Sequence, residues 1–340
     1  MYESYYKLTG KPFQLTPDPA FFYGSRGHKR ALAYLEYGVH QGEGFIVITG
    51  EVGAGKTTLV RNLFEHLDDD KLLAVQLVST QLNSDDMLRS VCWAFGLTDD
   101  GSKASLLRDL EAYLVDCQRS GKRTLLVVDE AQNLEPAAVE ELRMLSNFQT
   151  RSGSLLQSFL VGQPELRQTL QSHRMRQLRQ RVIATYHLGP MDVEETQAYI
   201  EHRLKHVNWQ GNPAFTSAAF AAIHEASQGI PRRINSLCDR LLLMGYLEEL
   251  DTFDEQQVKE VAEEMEQDFN APREFYNGSP QDGDGSEFGD GPLSEDNVDL
   301  ALSARLERLD ARVSRLERYV IYTSKLSRQI LSMVNRKKLA

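Results

Sequence analysis

The sequence predicts an α/β fold: a parallel sheet with helices on both faces, then a small all-helical domain, a disordered linker and a C-terminal coiled-coil helix. Three observations predict it. Five apolar runs of strand length alternate with helix-length segments as far as Pro190. Beyond Pro190 the strand signal stops and helical patterns follow one another. A stretch rich in Gly, Asp and Ser then separates this body from a heptad series. Apolar runs alternating with helices are the mark of a parallel sheet buried on both faces.

Residues 1–25 hold Tyr5, Tyr6, Pro12, Phe13, Pro17, Pro19, Phe21, Phe22 and Tyr23. They read as an extended N-terminal arm packed on a core, because proline blocks helical propagation. The sheet domain is expected over residues 26–190. It opens with a helical pattern from Gly27 to about His40, with Leu32, Leu35 and Val39 on one side. Strands are expected at Phe45–Thr49, Leu72–Val78, Thr124–Val128, Leu155–Val161 and Val182–Leu188. The helical domain, residues 191–269, carries helices over Asp192–His206, Thr216–Ser227, Pro231–Leu247 and Asp254–Phe269.

Residues 270–297 have too little apolar surface to offset chain entropy and are expected to be a disordered linker. The heptads run Leu302, Leu306, Leu309, Val313, Leu316, Val320, Thr323, Ser327, Ile330, Val334. Alternating steps of four and three place one apolar seam on a helix, so 298–336 is expected to be a coiled coil. An amphipathic helix folded back on the chain's own body is the alternative.

Net charge is −11 over 340 residues, which argues against a protein that coats nucleic acid, since phosphate neutralisation needs a basic surface. The charge is uneven: residues 301–340 carry ten Lys and Arg against three acidic residues. Cys92, Cys117 and Cys238 form no ligand spacing, so reduced thiols are expected rather than a metal site or a disulfide framework. No 18-residue apolar run and no basic-then-apolar leader pattern is found, and the expected location is cytoplasmic.

The chemistry concentrates after the first strand. Gly50-Glu51-Val52-Gly53-Ala54-Gly55-Lys56-Thr57 matches G-x-x-x-x-G-K-[ST] between a strand and a helix, with Thr58 following. The glycines let the backbone curl so that its N–H groups face phosphates. Lys56 reaches the β- and γ-phosphates and Thr57 offers a hydroxyl to Mg²⁺, so ATP with Mg²⁺ is the expected ligand. Leu125-Leu126-Val127-Val128 ends in Asp129-Glu130, two carboxylates at the end of a strand where such sheets bind ligands. Asp129 is expected to hold Mg²⁺ through water, and Glu130 to polarise the attacking water. Gln163, closing a strand, is placed to sense that water or the γ-phosphate; a plain turn residue is the alternative. Arg232, in Gly229-Ile230-Pro231-Arg232-Arg233, opens a helix that could fold over the nucleotide, or that is ordinarily capped. Arg174, Arg176, Arg179 and Arg181 precede a strand. One of them, Arg181 first and Arg179 second, is the candidate finger for a neighbouring subunit's nucleotide; a solvated helix face is the other reading.

This order of motifs resembles the AAA+ class of P-loop NTPases with a helical lid. Pro12-Phe13-Gln14-Leu15-Thr16-Pro17-Asp18-Pro19, Asp129-Glu130-Ala131-Gln132 and Gly229-Ile230-Pro231-Arg232-Arg233-Ile234-Asn235 resemble the general secretion pathway A-type ATPases. The arm, with Gly24-Ser25-Arg26-Gly27-His28-Lys29-Arg30-Ala31, is most similar to the subfamily accompanying exosortase (PEP-CTERM) loci. The resemblance covers about residues 1–268. It implies ATP hydrolysis, homo-oligomer formation and a part in an envelope export or polysaccharide system, with Gln163 as sensor 1 and Arg232 as sensor 2. Secretion ATPases of this type continue through a membrane helix into a peptidoglycan-binding domain; here the linker and heptads follow, and the heptads are the expected docking element for a protein partner. Peripheral placement at the inner membrane through that partner is compatible with the resemblance. A DNA-associated regulator of the transposition-ATPase type and a nucleotide-switched scaffold with little turnover are the competing functions. The acidic body and the lack of a helix–turn–helix candidate disfavour the former.

Overall fold

In the computed structural model, the described residues are 1–270 except 17, 69, 79–82, 99 and 152. The expected linker and heptad helix lie outside them. Five strands make one parallel sheet. In chain order the arm carries α1 (Tyr2–Tyr5), and the sheet domain carries α2 (Arg26–Gln41), β1 (Phe45–Gly50), α3 (Lys56–His66), β2 (Leu72–Val78), α4 (Ser84–Ala94), α5 (Lys103–Arg119), β3 (Arg123–Asp129) and α6 (Pro136–Leu145). A small hairpin, β4 (Gln149–Thr150) with β5 (Gly153–Ser154), leads to β6 (Gln157–Gly162), α7 (Pro164–Gln171), α8 (Arg176–Arg179) and β7 (Val182–Leu188). The sheet order is β2-β3-β6-β1-β7. β1 and β3 are buried along nearly their whole length, which explains why they read as continuous apolar runs rather than alternating ones. α4, α5, α6 and α7 pack on one face around Leu88, Leu110, Val128 and Leu142. α2 and α3 cover the other around Leu35, Ile46, Leu59 and Phe159.

The helical domain follows: α9 (Val193–His206), β8 (Ala214–Phe215), α10 (Ser217–Ser227), α11 (Pro231–Glu248), β9 (Thr252–Phe253) and α12 (Glu255–Asn270). The two-residue strands β8 and β9 pair in parallel, although no strand is expected past Pro190. They are too short to leave a periodic pattern.

The arm departs from the expectation in its first residues. Tyr2–Tyr5 is helical rather than extended, because the prolines that exclude a helix begin only at Pro12. The arm's anchors belong to the helical domain: Tyr2, Tyr6, Leu8 and Phe13 are buried with Ile200, Leu237, Leu241 and Phe253. Tyr2 Oη donates to Asp239 at 2.5 Å and Tyr6 Oη to the Leu250 carbonyl at 2.9 Å. Each phenol gains a partner for its one donor, so burying it does not leave an orphaned polar group. The consequence is positional: Tyr2 and Tyr6 are fixed to α11 and the turn after it, and Gln14, Thr16, Phe21 and Tyr23 come to line the cleft beside the sheet domain.

Candidate nucleotide site

Parallel strands end their chains on one edge of the sheet, and there β1 passes into the glycine loop. Gly53 and Gly55 have φ of 84° and 95°, the left-handed region that side chains disfavour. Space also demands glycine: a Cβ on Gly53 would collide with the Cβ of Arg232, and one on Gly55 would lie 2.7 Å from His28 Nε2. Lys56 opens α3 and is buried, with Nζ donating to the carbonyls of Gly50 at 2.7 Å and Glu51 at 2.9 Å. Burial pushes its ammonium below the usual lysine value, while the charges of Glu130 and Asp129 oppose that shift. A cation so placed gains strongly from an anion in the loop.

Next door, at the end of β3, Asp129 is 2% exposed. Its Oδ2 accepts from Thr57 Oγ1 at 3.0 Å and from Gln76 Nε2 at 3.3 Å, and its Oδ1 from the Glu130 N–H at 2.9 Å. Burial raises its carboxyl above the ordinary range, and the Thr57 hydroxyl works against that. One hydroxyl and one carboxylate in contact suit Mg²⁺, which keeps waters and takes phosphate oxygens for its remaining positions. Among the described residues no cluster of three or more His, Cys, Asp or Glu could hold a metal by protein ligands alone. The donor set thus fits a cation brought with a phosphate.

Glu130 has φ 54° and ψ 35°, a left-handed conformation in a residue that is not glycine. Such backbone costs on the order of 1 kcal/mol or more and persists where the surroundings hold it. Here they do: Glu130 Oε2 accepts from Gln132 Nε2 at 2.6 Å and Gln163 Nε2 at 3.2 Å, and Gln132 Oε1 in turn accepts from the Gln163 N–H at 2.9 Å. Two amides therefore orient one carboxylate beside the loop.

A cleft of about 210 Å³ runs from the loop to the arm. Gly53, Gly55, Lys56, Thr57, Thr58, Val52 and Glu130 line one end, and Gln14, Thr16, Phe21 and Tyr23 the other. The helical domain closes it with Tyr199, Arg203, Pro231, Arg232 and Asn235. Arg232 also donates its backbone N–H to the Gly53 carbonyl at 3.2 Å. α11 can start there because Gly229, with φ 66°, passes so close to the Met191 carbonyl that a Cβ would collide with it.

The structure thus brings together Gly50 through Thr58, Asp129, Glu130, Gln163 and Arg232. Of the arginine cluster, Arg179 and Arg181 do not line this cleft. Arg181 precedes β7, whose residue Val182 pairs with Phe45 while Leu188 pairs with Gly50. Six residues of strand, about 20 Å, separate it from the loop's edge of the sheet. Its Nη1 donates to Ser146 Oγ at 2.7 Å and its Nη2 to Asn147 Oδ1. Arg179 Nη1 donates to the carbonyls of Leu170 and Gln171, capping α7.

Gln132, His28 and Arg203 are among the site residues to which motif and spacing assign no role. Gln132 stands two residues past Glu130, inside the Asp129-Glu130-Ala131-Gln132 motif. His28 and Arg203 sit far away in sequence. Arg203 is 5% exposed, with Nη1 donating to Tyr199 Oη at 2.8 Å and its guanidinium 5.0 Å from the Phe21 ring centre. Its Nε has no hydrogen-bond partner.

Comparison with known proteins agrees with this geometry. The AAA domain family matches residues 39–170. The general secretion pathway protein A of Aeromonas hydrophila is 41% identical over 248 residues, covering 72% of this chain but 45% of the relative, so the chain spans less than half the length of that protein. An uncharacterized HTH-type transcriptional regulator of Methanocaldococcus jannaschii is 27% identical over 157 residues, 45% of this chain and 38% of its own. Among solved structures, the Aeropyrum pernix ORC2 protein in ADPNP–ADP complexes aligns with TM-score 0.56 at 18% identity, covering 75% of this chain and 71% of that one. The Drosophila ORC bound to DNA aligns with TM-score 0.56 at 16% identity, covering 77% and 67%. At these identities the likeness is one of fold. The chain carries an AAA domain on the P-loop ATPase fold, and over most of its described length it is similar to a general secretion pathway protein A.

Proposed function

We propose that this chain binds ATP with Mg²⁺ in the cleft between loop and helical domain, hydrolyses it, and uses the change of state to drive assembly or operation of a bacterial secretion or exopolysaccharide export system. The observation that carries the hydrolytic reading is Glu130, held in strained backbone with its carboxylate oriented by Gln132 and Gln163. A mere binding loop has no use for a carboxylate so placed; an attacking water does. In this reading the loop N–H groups and Lys56 hold the phosphates, and Thr57 and Asp129 hold the cation, which neutralises phosphate charge when bound. Glu130 orients and deprotonates water, Gln163 reports the γ-phosphate, and Arg232 lets the helical domain sense occupancy. Arg181, engaged away from its own cleft, acts on a neighbouring subunit's nucleotide in a homo-oligomer, with Arg179 as second candidate.

The export role rests on similarity to the Aeromonas protein and on the exosortase-type arm. No helix among the described residues is long and apolar enough to cross a membrane. The reading places the chain at the inner membrane through a partner, with residues 298–336 as the proposed docking element. The test is a Glu130→Gln trap crosslinked in native cells. Export-machine components captured with ATP are the expected result. Capture of DNA, with tight salt-sensitive DNA binding by the purified chain, overturns it in favour of a DNA-associated regulator.

A further inference from the structure

The glycine loop is held at two neighbouring carbonyls, and both holds lead to the helical domain. The Gly53 carbonyl accepts directly from the Arg232 N–H. The Ala54 carbonyl accepts from His28 Nε2 at 3.1 Å, and His28 Nδ1 lies 2.7 Å from Ser25 Oγ. A carbonyl can only accept, so Nε2 carries the proton. In the neutral ring Nδ1 is then the acceptor, and the Ser25 hydroxyl donates to it. Burial pushes the His28 imidazole below its usual value and so favours that neutral ring.

Peptide planarity gives this contact a consequence at the phosphate. In a trans peptide the C=O of residue 54 and the N–H of residue 55 point in opposite directions. Holding the Ala54 carbonyl on His28 therefore turns the Gly55 N–H away from the imidazole and fixes the orientation of that peptide in the loop. His28 also fills the space that a side chain at residue 55 would need. It rests edge-on to Phe22 of the arm, with ring centres 5.7 Å apart.

Ser25 caps α2, accepting from the His28 N–H at 3.3 Å. The next residue ties that cap to the helical domain. Arg26 donates its backbone N–H at 2.7 Å and its Nε at 3.3 Å to Glu195 Oε1, and its Nη2 to Asp192. Asp192 and Glu195 stand at the start of α9, and Asp192 caps that helix. The Glu195 carboxylate thus lies against the N-terminus of α2, where a negative charge is favoured.

We propose that His28 is a positioning residue for the phosphate loop, and that Glu195, Arg26, Ser25 and His28 form a path by which the helical domain sets the loop's readiness for phosphate. The inference rests on reading the cleft as a nucleotide site.

The test titrates fluorescent ATP and ADP analogues into the full chain and its variants, with melting of the nucleotide-free proteins as a control. His28→Leu is expected to weaken ATP binding about tenfold, or about 1.4 kcal/mol, with little change in nucleotide-free melting. His28→Gln, whose amide reaches the same carbonyl, recovers most of that loss. Glu195→Gln weakens binding, and the His28→Leu/Glu195→Gln double variant binds no worse than His28→Leu alone, as expected of residues in series. Unchanged affinity in His28→Leu, with binding lost in Lys56→Ala, overturns the inference and leaves the nucleotide reading standing. Retained binding in Lys56→Ala overturns the nucleotide reading itself. Additive effects of the His28 and Glu195 changes overturn the path. Should His28→Leu fail to fold, Ser25→Ala removes the Nδ1 partner and carries the same expectations.

Discussion

At the scale of single residues, Lys56 and Glu130 separate binding from turnover. Lys56 is buried against loop carbonyls that repay its desolvation only in part. Lys56→Ala is expected to abolish ATP binding in a direct titration, since the cation that answers the β- and γ-phosphates is gone. The Glu130 carboxylate accepts from Gln132 and Gln163 rather than from the loop, and its backbone N–H donates to Asp129 Oδ1. Glu130→Gln is therefore expected to keep ATP affinity while phosphate release falls on the order of 10²-fold or more. Turnover equal to the parent would leave a nucleotide-switched scaffold as the better reading. His28 carries a pH expectation. Its folded value lies below the ordinary ~6.5, chiefly through burial, with the Ala54 carbonyl and the Glu195 charge opposing. Between those values the unfolded chain binds more protons, so stability falls as pH drops from about 7 through that window. His202 shifts the same way, so the readout is a difference. Melting temperature should depend less steeply on acid pH in His28→Gln than in the parent, and identical slopes would contradict the assignment.

At the scale of elements, the arm and α9 decide how the cleft is closed. Phe13 is 2% exposed in the helical domain's core. Asn235 Nδ2 donates to the Gln14 carbonyl at 3.3 Å, and Tyr199 Oη donates to Asn235 Oδ1 at 2.8 Å. The arm therefore reaches the cleft from an anchor outside the sheet domain. Phe13→Ala is expected to destabilise the fold by about 3–5 kcal/mol, the usual cost of emptying a buried aromatic site. Urea unfolding measures that cost. A nucleotide titration in the folded fraction should show weaker binding too, because residues 14–23 lose their hold. Arg203 belongs to the same layer: its charge rests on the Phe21 ring and a phenol rather than on a carboxylate.

At the scale of the whole molecule, Arg181 and the cleft lie at opposite edges of one sheet. A residue about 20 Å along β7 from the loop cannot serve its own nucleotide, which is the arrangement expected of a group that serves a neighbour. Mixing Arg181→Ala chains with parent chains is expected to depress activity below the proportional average. A strictly proportional decline would place the arginine in a structural role, holding Ser146 and Asn147 beside β7.

Much of this was legible in the chain itself, for local reasons. The β2 and β7 spans and the start of α11 follow from apolar runs and from Pro231 at a first helical position. The spacing of Gly50, Gly53, Gly55, Lys56 and Thr57 states its chemistry because the contacts involved are within one turn. Other features depended on where distant segments meet. Nothing near His28 in sequence points to Ala54, and the neutral donor of an imidazole acquires meaning only against that carbonyl. Gln132 needed β6 beside β3 to meet Gln163, and the arm needed α11 and β9 to give its tyrosines a place to bury. Periodicity and motif spacing determined the sheet, its order of events and the phosphate loop, since these rest on short-range backbone geometry. The tertiary structure alone decided what orients Glu130, what braces the loop and which edge Arg181 occupies, because hydrogen bonds between segments far apart in the chain leave no local pattern.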